Sequence, residues 1–242
     1  MVSKEFNNIE VFKFITWISI GLCGYYLGNL YLKIKLHLPS FCNCCLLLTN
    51  DNVCYLEFHN KSKIQFVQDM TSFILYSSIY FYYSDIISRI DYDNSYKLFY
   101  IILYFFTILI FGIFGKIKGM QTSWSMNSMS DWPITSIIVY SIVVIIIIIL
   151  FGYHFYLAYK QNILFYYILS IIAIISYYIF VYYYYVILDE QHTIHIHHWF
   201  IGHMGCLFFR FDNIISNISF IIFYGIFTQG VVNYGMTNIF HN

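Results

Sequence analysis

The chain alternates long apolar runs with short polar interruptions, and the lengths of the runs predict its elements. Phe14–Leu32 gives 19 uncharged residues between Lys13 and Lys33, and Leu98–Gly115 gives 18 between Lys97 and Lys116. Ile134–Gly152 gives 19, including the block Ile145–Ile149, and Ile163–Leu188 gives 26 before Asp189. A hydrocarbon layer about 30 Å thick takes roughly 20 apolar residues when the chain rises about 1.5 Å per residue as an α-helix. Each of these runs therefore predicts a spanning helix. Met70–Ser88 predicts another, with Asp85 near one end where a carboxylate reaches the headgroup layer at small cost. The uncharged stretch after Asp212 predicts a span near 214–232, capped by Asp212 or Asn213.

The stretch 193–209 is different. His192, His195, His197 and His198 crowd its start, and its apolar part, Trp199–Phe209, has 11 residues. That length suits a tilted short span or a helix that enters protein rather than lipid. The expected fold is all-α: a single multi-pass membrane domain over residues 1–242 built as a bundle of about seven transmembrane helices, six if 193–209 does not cross. A small hairpin-bearing loop over 33–68 stands outside the bundle.

Composition agrees with the pattern and removes several function classes. Hydrophobic residues make up 60% of the 242 and charged residues 10%, against roughly 25% in an ordinary soluble domain. So few charges cannot clothe a soluble core of this size, and a disordered chain has the opposite bias. With 12 Lys+Arg against 12 Asp+Glu the net charge is zero, so there is no basic field for nucleic acid. The expected partners are the lipid bilayer and other membrane proteins. Lys and Arg divide six to six between the two sides of a seven-span bundle, which leaves orientation open. The N-terminal MVSKEFNNIEVFKF is not an Arg-rich, acid-poor transit peptide, so the first span reads as retained. An excess of Ile, Tyr, Phe and Asn is what an AT-biased genome encodes, and an organellar inner membrane is one setting that fits.

The extramembrane pieces carry weak chemical signals. Within 33–68, CCLLLTNDNVCYLEF reads as a hairpin around Asn50-Asp51-Asn52. Cys42, Cys44, Cys45 and Cys54, with His59 beyond, lack the two paired clusters of a zinc site; a disulfide or free thiols are the alternatives. Met120, Met126 and Met129 supply thioethers, and Trp124 and Trp132 fit interfacial anchors. No P-loop, GxGxxG, GxSxG or HExxH occurs. Gly24 and Gly28 in the first span form a small-xxx-small pair that lets another helix approach closely.

The densest chemistry is DEQHTIHIHHWFIGHMG, Asp189 to Gly205, with five of the nine histidines. On a helix advancing about 100° per residue, His192, His195, His198 and His203 share a face about 140° wide while His197 points away. If Thr193–His198 is extended, His195 and His197 share a side instead. Converged imidazoles serve three chemistries. A transition metal on His192, His195, His198 and His203 is one, with Asp189 and Glu190 orienting the rings. Haem with an axial histidine, for example paired with His154, is another. The third is structural: interfacial or interhelical hydrogen bonding and proton handling. Nearby, Arg210 and Asp212 read as an ion pair holding the turn RFDN, and Gln229 in mid-span needs a partner.

From His195 the pattern runs HIHHWFIGHMG, then FFRFDN, then a span ending GIFTQGVVNYG. Over about residues 195–235 this resembles the C-terminal membrane module of fungal LCCL-domain multi-pass proteins, through His195, His197, His198, Trp199, Arg210, Gly225, Gly230 and Gly235. No LCCL domain accompanies it, and the resemblance implies a membrane module and no particular activity. The expected role is a structural or accessory subunit of a membrane complex. The alternative is a membrane-embedded metal- or haem-binding enzyme or redox protein using the His192–His203 cluster.

Overall fold

The computed structural model describes residues 8–37, 63–84, 94–114, 133–183, 193–194, 198–235 and 240–241. Among these are seven α-helices: α1 (Asn8–His37), α2 (Lys63–Ser84), α3 (Asn94–Phe114), α4 (Ile134–Lys160), α5 (Leu164–Tyr182), α6 (His198–Phe208) and α7 (Ile214–Tyr234). Two-residue strands β1 (Thr193–Ile194) and β2 (Phe240–His241) pair antiparallel, Thr193 opposite His241. The architecture is thus an all-α bundle, with one short pairing that ties the chain before α6 to the chain after α7.

Four helices contain stretches long and apolar enough to cross a membrane: Glu10–Leu30, Tyr96–Ile113, Ile134–Lys160 and Ile214–Asn233; Leu164–Phe180 and Trp199–Phe208 are shorter apolar stretches. The boundaries differ from the apolar pattern in an instructive way. Charge-free runs mark where lipid begins, whereas backbone hydrogen bonding continues through polar residues. So α1 runs on through Lys33 to His37, and α2 begins at Lys63. Both take residues from the expected 33–68 loop; the hairpin, its cysteines and His59 lie outside the described residues, as does Asp85.

Local chemistry sets the turns. Pro133, at φ −62°, precedes α4, where its missing N–H costs no helical bond. Lys160 sits in the last turn of α4, where a cation meets the negative helix end. Asn162 adopts φ 57°, a left-handed turn that asparagine tolerates better than most residues, and the chain doubles back into α5. Asn213 caps α7, its side chain accepting from Ile215 N at 2.9 Å. Gly235, at φ 69°, ends α7.

The centre of the bundle is α7. It packs most extensively against α6, then against α3 and α1, with α2 completing the core. Glycines set the closest approaches: a Cβ on Gly202 would overlap the Phe227 backbone, and one on Gly230 would overlap the backbone of Trp199. Gly24 faces Tyr104 and Gly28 faces Val232, so the small face of α1 serves packing within the chain. By contrast α4 leans mainly on α5 and exposes Ile145, Ile148 and Ile149, each more than half exposed.

Candidate functional site

Polar groups in the bundle interior cluster around α7, and they are joined across helices. Tyr224 is the hub. Its ring stacks on Trp17 of α1 at 4.6 Å and on Tyr104 of α3 at 5.0 Å, centroid to centroid. Its hydroxyl shares a hydrogen bond with Ser77 of α2 at 2.9 Å, and Trp17 Nε1 donates to the Ser77 carbonyl at 2.9 Å. Thr228 donates back to the Tyr224 carbonyl and shares a 2.9 Å hydrogen bond with the Tyr104 hydroxyl, which also reaches the Gly21 carbonyl of α1 at 3.3 Å. Each residue alone is a polar group in an apolar interior. Together they satisfy one another, as groups shielded from water must.

His203 sits beside this seam, 5% exposed, on α6. Its Nδ1 lies 2.5 Å from the Tyr80 hydroxyl of α2. Tyr76 and Tyr178 present their rings edge-on to the imidazole, at 4.9 and 6.2 Å. The alternation of α6 explains the placement: Gly202 and Gly205 bring that helix onto α7, which turns His203, between them, toward α2 and α5.

The other expected ligands are not brought to this imidazole within the described residues. His192, His195 and His197 lie outside them, and His198 begins α6 with its side chain outside the description. Among the described residues no three His, Cys, Asp or Glu side chains form a metal-sized group. The extended alternative has a counterpart in β1, since Thr193–Ile194 is strand and the helix starts only at His198. His154, the expected second haem ligand, is fully buried; its Nδ1 is 2.7 Å from the Leu150 carbonyl and its ring packs on Phe209 at 4.6 Å.

Arg210 has partners the sequence did not suggest. In place of the ion pair with Asp212, its guanidinium donates to the Tyr83 hydroxyl and to Ser170 Oγ, the latter at 2.7 Å. It also lies over the rings of Tyr83 and Tyr167, at 4.9 and 5.3 Å. Asp212 is exposed. One cation thereby joins α2, α5 and the α6–α7 turn, and Tyr167 adds a bond to the Phe208 carbonyl at 3.2 Å. The reason is directional: adjacent turn residues two apart rarely face each other, whereas a guanidinium offers five donors to whatever helices surround it.

Tyr80, Tyr83, Ser77 and Ser170 are therefore the site residues that sequence reasoning missed. Each is more than 35 positions from its partner, and no local motif announces the pairing. The available signal was the spacing Phe73, Ser77, Tyr80 on α2, which places small, polar and aromatic groups on one helical face. The chain matches no known protein family, no curated protein and no solved structure.

Proposed function

We propose that this chain is a multi-pass integral membrane protein, with α1–α7 as its spans, that serves as a structural or accessory subunit of a membrane assembly. The observation that carries the reading is how its interior polar groups are used. Tyr224, Tyr104, Thr228, Ser77, Tyr80, His203 and Arg210 bond one helix to another, while the outward faces, above all Ile145, Ile146, Ile148 and Ile149, are apolar. Interhelical bonds of this kind hold bundles together in lipid, where burying apolar surface supplies no net drive between helices.

In this reading the histidine segment 192–198 is a contact element. In sequence it contains β1, Thr193–Ile194, whose pairing with β2 ties the chain before α6 to the chain after α7. Residues 195–235 form a module of the type found at the C-terminus of fungal LCCL-domain multi-pass proteins. Within it, Gly225 abuts Thr107, Gly230 abuts Trp199 and Gly235 terminates α7.

The test is joint replacement of His195, His197 and His198 by Ala in the full chain. The subunit reading expects the native complex to shrink on a blue-native gel, with helicity and metal content unchanged. Elemental analysis and an optical spectrum of the purified protein complete it. A metal near one equivalent, or a Soret band, that disappears in the triple variant while the complex keeps its size would overturn the subunit reading. It would favour a cofactor held by His192, His195, His198 and His203.

A further inference from the structure

Between α4 and the α6–α7 pair the helices separate and leave a half-open cleft of ≈ 230 Å³. Ile147 and Phe151 of α4 form one wall; Ile201, Met204 and Phe208 of α6 form the other, with Phe223 of α7 beneath. Among the described residues no polar side chain lines it. We infer that this cleft holds a segment of one phospholipid acyl chain, drawn from the surrounding bilayer; the inference rests on the membrane reading above.

The lining, the size and the position of the cleft each narrow the occupant. Water in such a site would need two to four polar partners, and the walls offer none. A dry apolar cavity of about 150 Å³ holds a six-carbon ring, so this one accommodates about nine carbons. One turn of a partner helix about 10 Å across and 5.4 Å long takes roughly 400 Å³, too much for the cleft. A single flexible hydrocarbon chain fits. Its source is adjacent, because α4 carries the cleft wall at Ile147 and an outward apolar row that runs around the same helix from it, with exposed Val144 and Ile148 about 60° and 100° away and Ile145 and Ile149 beyond. A chain lying along that row reaches the cleft without crossing a polar surface. The gap itself follows from packing. Glycines 202 and 205 draw α6 onto α7, while α4 meets that pair through Phe151, whose ring lies 5.0 Å from Phe208 and 5.8 Å from Phe209, and the cleft is the space left beside this contact.

The full-length protein, reconstituted in nanodiscs containing a phospholipid with a photoactivatable diazirine on its acyl chain, reports the occupant after irradiation and peptide mapping. The expected result is adducts on the recessed Ile201, Met204 and Phe151 together with adducts on Ile145, Ile148 and Ile149. Met204→Trp, which fills the cleft, should abolish the recessed adducts and keep the outer ones. Adducts on the outer row alone overturn the cleft proposal and leave the membrane reading standing. Absence of adducts on the outer row overturns the membrane reading itself. Recessed adducts obtained from a diazirine sterol and not from the phospholipid would assign the cleft to a different lipid and overturn the acyl-chain proposal.

Discussion

Helices α4 and α7 are both long enough to cross a bilayer, yet they invert the usual relation between hydropathy and burial. Among the described helices the most apolar 18-residue window lies within Ile134–Lys160, with a mean hydropathy of 3.1 and only 6% of it buried. The corresponding 18-residue window within Ile214–Asn233 has a mean hydropathy of 1.6 and 78% of it is buried. In water the apolar helix would be the one inside. In hydrocarbon the outside is already apolar, so the interior is reserved for residues that gain from one another: glycines that permit close approach and hydroxyls that need partners. α7 has Gly225, Gly230, Ser216, Asn217, Ser219, Thr228 and Gln229 buried, and α4 has its isoleucines outward. Ser and Gly lower a hydropathy score and raise the value of a position in the core. The two helices thus show the same rule from opposite sides.

The sharpest way to break this comparison uses one residue type in two places. Gly202→Leu, on the α6 face against α7, is expected to cost about 3 kcal/mol or more through overpacking, because its Cβ meets Phe227 backbone that cannot move aside. Gly152→Leu on α4, where nothing lies within 4 Å, should change stability by less than about 1 kcal/mol. Unfolding by steric trapping in bicelles compares them, and equal losses would contradict a tight centre and a loose periphery.

Ile145→Arg tests the outer face directly. In a glycosylation-reporter insertion assay it should raise the insertion free energy of α4 by about 3 kcal/mol, with Ile145→Val near zero. An arginine tolerated there without loss would mean that this face does not meet lipid. The interior seam is next in size. A double-mutant cycle on Tyr80→Phe and His203→Leu should return a coupling of about 1 kcal/mol, within the range of membrane interhelical hydrogen bonds. A coupling near zero would reduce the Tyr80–His203 contact to packing. The smallest effect belongs to Arg210→Lys, about 0.5 kcal/mol, since an ammonium loses the ring contacts with Tyr83 and Tyr167 and the fork that reaches Ser170.

Legibility from the sequence was uneven, for reasons visible in particular residues. Runs such as Ile134–Gly152 are apolar signals spread over many positions, so the helices they predict coincide with α1, α3 and α7 to within a turn or two, while α4 runs eight residues beyond its run to Lys160. Asn213 was readable as a cap because its partner is two residues away. The candidate site was readable only as a composition: five histidines close together. Of these, the described part of the structure places His203 against Tyr80, 123 positions away, in a contact that no window of sequence contains. Arg210 shows the same limit, since its neighbour Asp212 was the only partner that proximity along the chain could suggest.

Taken alone, the sequence determined the class of the protein. Uncharged runs of 18 residues or more need neither tertiary contact nor partner to be helical and apolar, because backbone hydrogen bonds within a helix are satisfied locally. Tertiary structure decided which of those helices is central. That choice depends on whether small and polar residues of one helix find complementary surfaces on others, as Gly202 finds Phe227 and Tyr224 finds Ser77. Such complementarity is a property of pairs distant in the chain, and it appears only when the helices are assembled.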